Sequence, residues 1–184
     1  MWKRCLLFLS LIALALAAPL PDTSLYQLPS RWSDQEGRSI MLPELQGKVQ
    51  VLAMIYTHCQ SVCPAILEGM KATESQLTGP QRQRVGFVLV SIDPRVDTSA
   101  QLKAYAEEKK LGPAWRLLRG NPEDVRELAA TLNFKYRKTS SKDYAHSAMI
   151  TVLDPQGEVL HQQVGLSGGE AERLKAIQQC LQGR

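Results

Sequence analysis

At 184 residues, with 44% hydrophobic and 22% charged residues, the chain has the length and apolar content for one domain with a real core. Its formal net charge of +4 is partly the work of Lys3 and Arg4; without them Lys+Arg falls from 22 to 20 against 18 acids, leaving +2. That balance excludes a nucleic-acid-binding class, and four cysteines at these positions do not make a disulfide framework.

The first segment, "MWKRCLLFLSLIALALAAPLPD", has two basic residues, an apolar run over residues 5–18 and then small residues. That is the layout of a secretory signal peptide with Ala15-Leu16-Ala17 as the cleavage tripeptide, and the run is short of the ~20 residues of a membrane-spanning helix. Residues 1–17 are therefore read as a leader that takes Cys5 with it, and residues 18–184 as a single domain. The expected location is outside the cytoplasm, periplasmic in a bacterium, with membrane tethering if the leader is retained.

"DQEG", residues 34–37, predicts a turn before "RSIML". "VQVLAMIYT", residues 49–57, is an almost unbroken apolar run rich in strand formers, as expected for a strand covered on both faces. A helix beginning near Cys59 or Pro64 and reaching Leu77 follows, then a second buried strand, "VGFVLVSID", at residues 85–93. Asp97 is expected to cap a helix that stops near Gly112. "AWRLLRG" reads as a short strand. Asn121-Pro122 opens another helix, with Asn as cap and Pro in the first turn, ending near Asn133. "HSAMITVLD" and "EVLHQQV" flank the turn "DPQG" as a β-hairpin. "GGEAERLKAIQQCLQ" is a closing helix with Leu174, Ile177 and Leu181 on one face. The alternation predicts an α/β fold: a central mixed sheet flanked by helices, with an N-terminal hairpin extension. Cysteines at the first strand-to-helix junction make the thioredoxin-like fold its closest analogue.

The chemistry is concentrated in "YTHCQSVCPA", residues 56–65. Cys59 and Cys63 stand at the carboxyl end of a buried strand, where open α/β sheets bind ligands, and at the start of a helix, whose free N–H groups favour thiolate over thiol. Spacing of C-x-x-x-C places both sulfurs on one face if the segment is helical, able to close on one soft ion or on each other. A purely structural disulfide across so small a loop would constrain little chain entropy.

Two thiolates need a third donor to make a metal site. His146, in "DYAHSAMITVLD", enters the hairpin strand that a thioredoxin-like sheet packs against the cysteine junction. Reductases of that fold place a cis-proline there, yet this chain has no proline between Pro122 and Pro155. An imidazole beside two thiolates is an S₂N set suited to Cu(I), and to Cu(II) with an added ligand. His58 is read as orienting the loop, His161 as an exposed hairpin residue, and Met54, Met70 and Met149 as core. Lys135, Arg137, Lys138 and Lys142 place four positive charges within eight residues on the approach to His146, which would steer an acidic partner surface.

"YTHCQSVCP", "VSIDPRVDT" and "DYAHSAMITVLDPQGE", in this order, resemble the Sco/SenC family over roughly residues 25–182. The resemblance implies a thioredoxin-like copper-binding protein that assists assembly of the CuA centre of cytochrome c oxidase. It implies Cys59, Cys63 and His146 as metal ligands. Its implied partners are the oxidase subunit carrying CuA or another copper-receiving protein, and a periplasmic thiol reductant. Asp93 and Asp97, in the family's D-P-x-x-D-T segment, are read as structural. Gln60 departs from the C-P-x-x-C-P form of many members, and many members are membrane-anchored. The alternative from a different class is a thiol–disulfide oxidoreductase cycling Cys59 and Cys63 as a redox-active pair, for which His146 has no need. A peroxiredoxin would require T-x-x-C where this chain has Thr57-His58-Cys59.

Overall fold

The computed structural model describes residues 19–140 and 143–183; the leader expected over residues 1–17 lies outside them. The central strand is β3, Val49–Ile55, and all seven of its residues are buried. It pairs in parallel with β4, Val85–Ser91, along its whole length, and antiparallel with β8, Met149–Leu153. Because β3 has a strand on each edge and packed layers on each face, alternation is replaced by a continuous apolar run. The one polar intruder, Gln50, satisfies its amide by donating to the Leu45 carbonyl at 2.8 Å.

Around this strand the sheet extends in both directions. β4 pairs in parallel with β5, Trp115–Arg119, and β5 pairs antiparallel with β1, Arg31–Asp34, which turns back into β2, Ser39–Met41. On the other side β8 pairs antiparallel with β9, Val159–Val164. The seven-stranded order is β2-β1-β5-β4-β3-β8-β9, a mixed sheet with the expected N-terminal hairpin at one edge. Asp34 closes that hairpin by accepting the N–H groups of Glu36 and Arg38, both at 2.9 Å.

Helix α1, Cys63–Gln76, follows β3 and buries Cys63, Ile66, Leu67, Met70 and Thr73 at helical spacing. The short α2, Gly79–Arg84, leads into β4; α3 spans Ser99–Glu108, α4 Pro122–Thr131 and α5 Glu170–Gln182. Asn121 caps α4 as its sequence predicts, accepting from Asp124 N–H at 2.8 Å. The cap of α3 differs from expectation: Thr98 accepts from Gln101 N–H, while Asp97 is fully buried and serves another purpose. α5 buries Leu174, Ile177 and Leu181 as predicted, and also Arg173. Its guanidinium bonds the Gln163 side chain, Thr73 Oγ1 and the Gly69 carbonyl, tying α5 to α1 and β9 through neutral acceptors.

A second sheet was not foreseen. β6, Tyr136–Lys138, and β7, Tyr144–His146, form a two-stranded antiparallel ribbon outside the main sheet. His146 therefore belongs to the ribbon, three residues ahead of β8, and does not stand on the hairpin strand itself.

Candidate metal centre

The segment from Tyr56 to Val62 is a turn, and α1 begins only at Cys63. The two cysteines thus do not share a helical face, contrary to expectation. Their sulfurs meet because Cys59 sits where the cap of α1 belongs. The N-cap residue, Val62, offers no side-chain acceptor, and the Cys63 N–H donates to the Cys59 sulfur instead. A helix N-terminus that lacks an oxygen cap is a natural seat for a thiolate.

His146 reaches the pair from the ribbon. Its Nε2 lies 3.4 Å from Cys63 Sγ and 3.9 Å from Cys59 Sγ, and the three ligand atoms all fall within 4.8 Å of one another. On the other side of the ring Nδ1 meets the Ser147 carbonyl at 2.9 Å. A carbonyl only accepts, so Nδ1 carries a proton toward Ser147 and Nε2 is the ring nitrogen that faces the sulfurs. The ring is held by Phe134, stacked at 5.8 Å and 29°, and by the edge of Tyr56 at 5.8 Å and 79°.

The two sulfurs are not equivalent. Burial opposes ionisation of Cys59, but hydrogen bonds from His146, Ser61 and Cys63 outweigh it and bring this thiol down to about 5. Burial, together with the neighbouring Cys59 sulfur, pushes Cys63 up. The expectation that the junction activates both thiols is corrected: one thiolate is stabilised, and the deeper Cys63, 1% exposed, keeps its proton beside it.

Other predicted residues fall around this centre. Asp97 accepts from Thr57 N–H at 3.2 Å, Thr57 Oγ1 at 2.6 Å and Ser91 Oγ at 2.5 Å, locking the ends of β3 and β4 together beneath the cysteine turn. His58 leans on the same group, its Nδ1 4.0 Å from Asp97 Oδ1, in keeping with a loop-orienting part. Met54, Met70 and Met149 are core. His161 is half-buried, not exposed, and its Nε2 is sealed without a hydrogen-bond partner. Cys180 packs on the flank of α5 against the core. Sequence reasoning missed Tyr56, Phe134 and Ser147, which orient the imidazole; aromatic residues just past a strand and a helix end were the only signal.

An ion ~2.3 Å from sulfur and ~2.0 Å from nitrogen in trigonal array has those donors roughly 3.7 Å apart, and the two S–N separations here bracket that value. The donor set and its spacing fit a soft ion.

Fold and site together define a class: a thioredoxin-like sheet bearing two thiols and an imidazole at its carboxyl edge. Residues 21–182 match the SCO1/SenC family, and the chain belongs to that family. It is 28% identical over 130 residues to a Stutzerimonas stutzeri protein named for copper binding, covering 68% of this chain and 63% of that one. To the SCO1 protein homolog of Bacillus subtilis it is 28% identical over 136 residues, covering 72% and 70%. The crystal structure of Arabidopsis thaliana ScoI with copper bound superposes with a TM-score of 0.70 at 23% identity, over 82% of this chain and 96% of that one, a likeness of fold. The chain thus spans less than two thirds of the first of these relatives.

Proposed function

We propose that this protein is a copper carrier that holds one copper ion through Cys59, Cys63 and His146 and delivers it during assembly of the CuA centre of cytochrome c oxidase. The observation that carries the reading is the convergence of two sulfurs and an oriented Nε2 within 4.8 Å. A pair used only for redox chemistry needs no imidazole nitrogen aimed at it. Membership of the SCO1/SenC family and the copper named for its relatives support copper as the cargo, and a structural neighbour named as a member of the Sco family of cytochrome c oxidase assembly proteins supports the pathway. Cys59, ionised and the less buried of the two, would take the ion first; Cys63 would lose its proton on joining, and His146 Nε2 would complete the set. Transfer would proceed by exchange of these ligands for thiolates of the recipient.

Export through residues 1–17, with residues 18–184 acting outside the cytoplasm, is part of the same reading. Among the described residues no helix is long and apolar enough to cross a membrane. The test of the metal reading is Cu(I) titration of the reduced protein against a competing chelator, beside Cys59→Ser and His146→Ala. Uptake of one ion per chain, abolished in Cys59→Ser, is expected; full retention in that variant would defeat the assignment.

The asymmetry of the thiols favours a second activity at the same residues, thiol–disulfide exchange. The Cys59 thiolate would attack a partner's disulfide, and Cys63 would then attack the mixed disulfide. A Cys59–Cys63 disulfide and two partner thiols result, and a thiol reductant outside the cytoplasm would restore the pair. Air-oxidised metal-free protein should lose two hydrogens in mass and resist alkylation at both positions. Two alkylatable thiols under those conditions would exclude this activity.

A further inference from the structure

Beside the metal centre lies a cavity of about 200 Å³ that the site does not use. It opens between the ribbon, the turn after β4 and the start of α4. Its floor is aliphatic, from Ile92, Pro94 and Val125, and its walls include the rings of Tyr136 and Tyr144. Three cations stand at it, Arg95, Arg126 and Lys138, against one acid, Asp93, which is 2% exposed and has one carboxylate oxygen without a hydrogen-bond partner. Arg126 pairs with Glu123 only at the surface, with both side chains more than half exposed. A pair of that kind is worth little and readily gives way to another carboxylate.

The cavity is coupled in space to the third ligand. Tyr136 is the cross-strand partner of His146, and Tyr144 packs on Tyr56 at 5.4 Å, which in turn packs on His146. Resting on the copper-carrier reading, we propose that this cavity is the docking pocket for the copper recipient, taking one aromatic side chain of that protein flanked by a carboxylate. An aliphatic floor with ring walls is the kind of pocket that receives a buried anchor at a protein interface. The cationic rim selects an acidic neighbour of that anchor and steers its approach. A bare inorganic anion fits badly, because it would meet carbon and the Asp93 carboxylate at the floor; a cationic group would meet three like charges at the rim.

The test is an NMR titration of the reduced protein with phenylacetate, 2-phenylethanol, phenethylammonium and the peptide acetyl-Glu-Phe-Glu-amide. Phenylacetate should shift the amide signals of residues 92–93, 95–96, 123–126 and 136–140 saturably. The neutral and cationic analogues should bind about tenfold more weakly or worse, and the peptide should bind more tightly than phenylacetate. The double variant Arg95→Glu, Arg126→Glu should lose at least about tenfold in affinity for the peptide while taking up Cu(I) as the parent does. No saturable shift in those segments, equal binding of 2-phenylethanol, or an unaffected double variant would overturn the pocket. Binding of phenylacetate without the peptide would overturn docking in favour of a small-molecule site. Loss of Cu(I) uptake by the parent protein would instead strike the copper reading, and the two failures are distinguishable because the titration needs no metal.

Discussion

Cys63 stands at the first turn of a fourteen-residue helix, which follows a strand whose seven residues are all buried and all paired with β4, three of them also with β8. His146 stands on a three-residue strand whose ladder partner is another three-residue strand. An isolated two-stranded ribbon has little stability of its own, and this one is held by ring packing and a few backbone bonds, among them Ser147 N–H to the Lys135 carbonyl at 2.8 Å. The sulfurs are therefore supported by the most stable part of the molecule and the imidazole by one of the least. In the proposed carrier this division would be useful: two ligands would stay put, and the third would sit on the element that can yield when the ion is handed on.

The sharpest break of that comparison is at the sulfurs. Cys63→Ser should abolish Cu(I) uptake, since a hydroxyl is a poor soft-metal ligand, while thermal stability changes little. A chelator competition that still reads one tightly held ion would show that the core-anchored side of the site is dispensable.

Removing the ribbon's donor is expected to be the next largest effect. His146→Ala should keep two-sulfur binding but weaken it by more than the ~100-fold that loss of a supporting residue costs. Unchanged affinity would mean that the imidazole only neighbours the pair.

The same truncation placed in the two regions sharpens the contrast. Phe87, in β4 and stacked on Trp115 at 4.8 Å, belongs to the main core; Phe134 lies under His146. Phe87→Ala should cost about 3–5 kcal/mol of folding free energy and leave the copper affinity of folded molecules alone. Phe134→Ala should lower copper affinity about tenfold through a loosened imidazole, with a smaller fall in stability. Denaturant unfolding and metal competition on both variants read the two outcomes; equal effects on affinity would erase the distinction.

Cys180→Ala should change neither copper uptake nor the redox behaviour of the pair, because Cys180 lies on α5 at the core's flank. A loss of either, seen by metal titration or thiol counting, would reveal a third working sulfur.

Much of this was legible in the chain. The unbroken apolar run of residues 49–55 dictates a strand buried on both faces, and the caps and periodicity around Asn121 and Leu174 dictate helices, because these signals are local and repeat over several turns or residues. The cysteine spacing and the motif around His146 named the site's members. Tertiary structure decided the rest. That Cys59 caps α1 and becomes the thiolate depends on where a helix starts, and helix ends are weakly encoded. The ribbon of three-residue strands is too short for any period-2 pattern to register. Asp97 looks like a helix cap in sequence, but the end of β3, 40 residues away, claims its carboxylate. Arg173 interrupts an apolar helix face and is kept buried by acceptors 10 and about 100 positions distant. Local pattern encodes what a segment can bury; only the packed chain decides which polar groups meet across that burial, since those partners are set by contacts far apart in sequence.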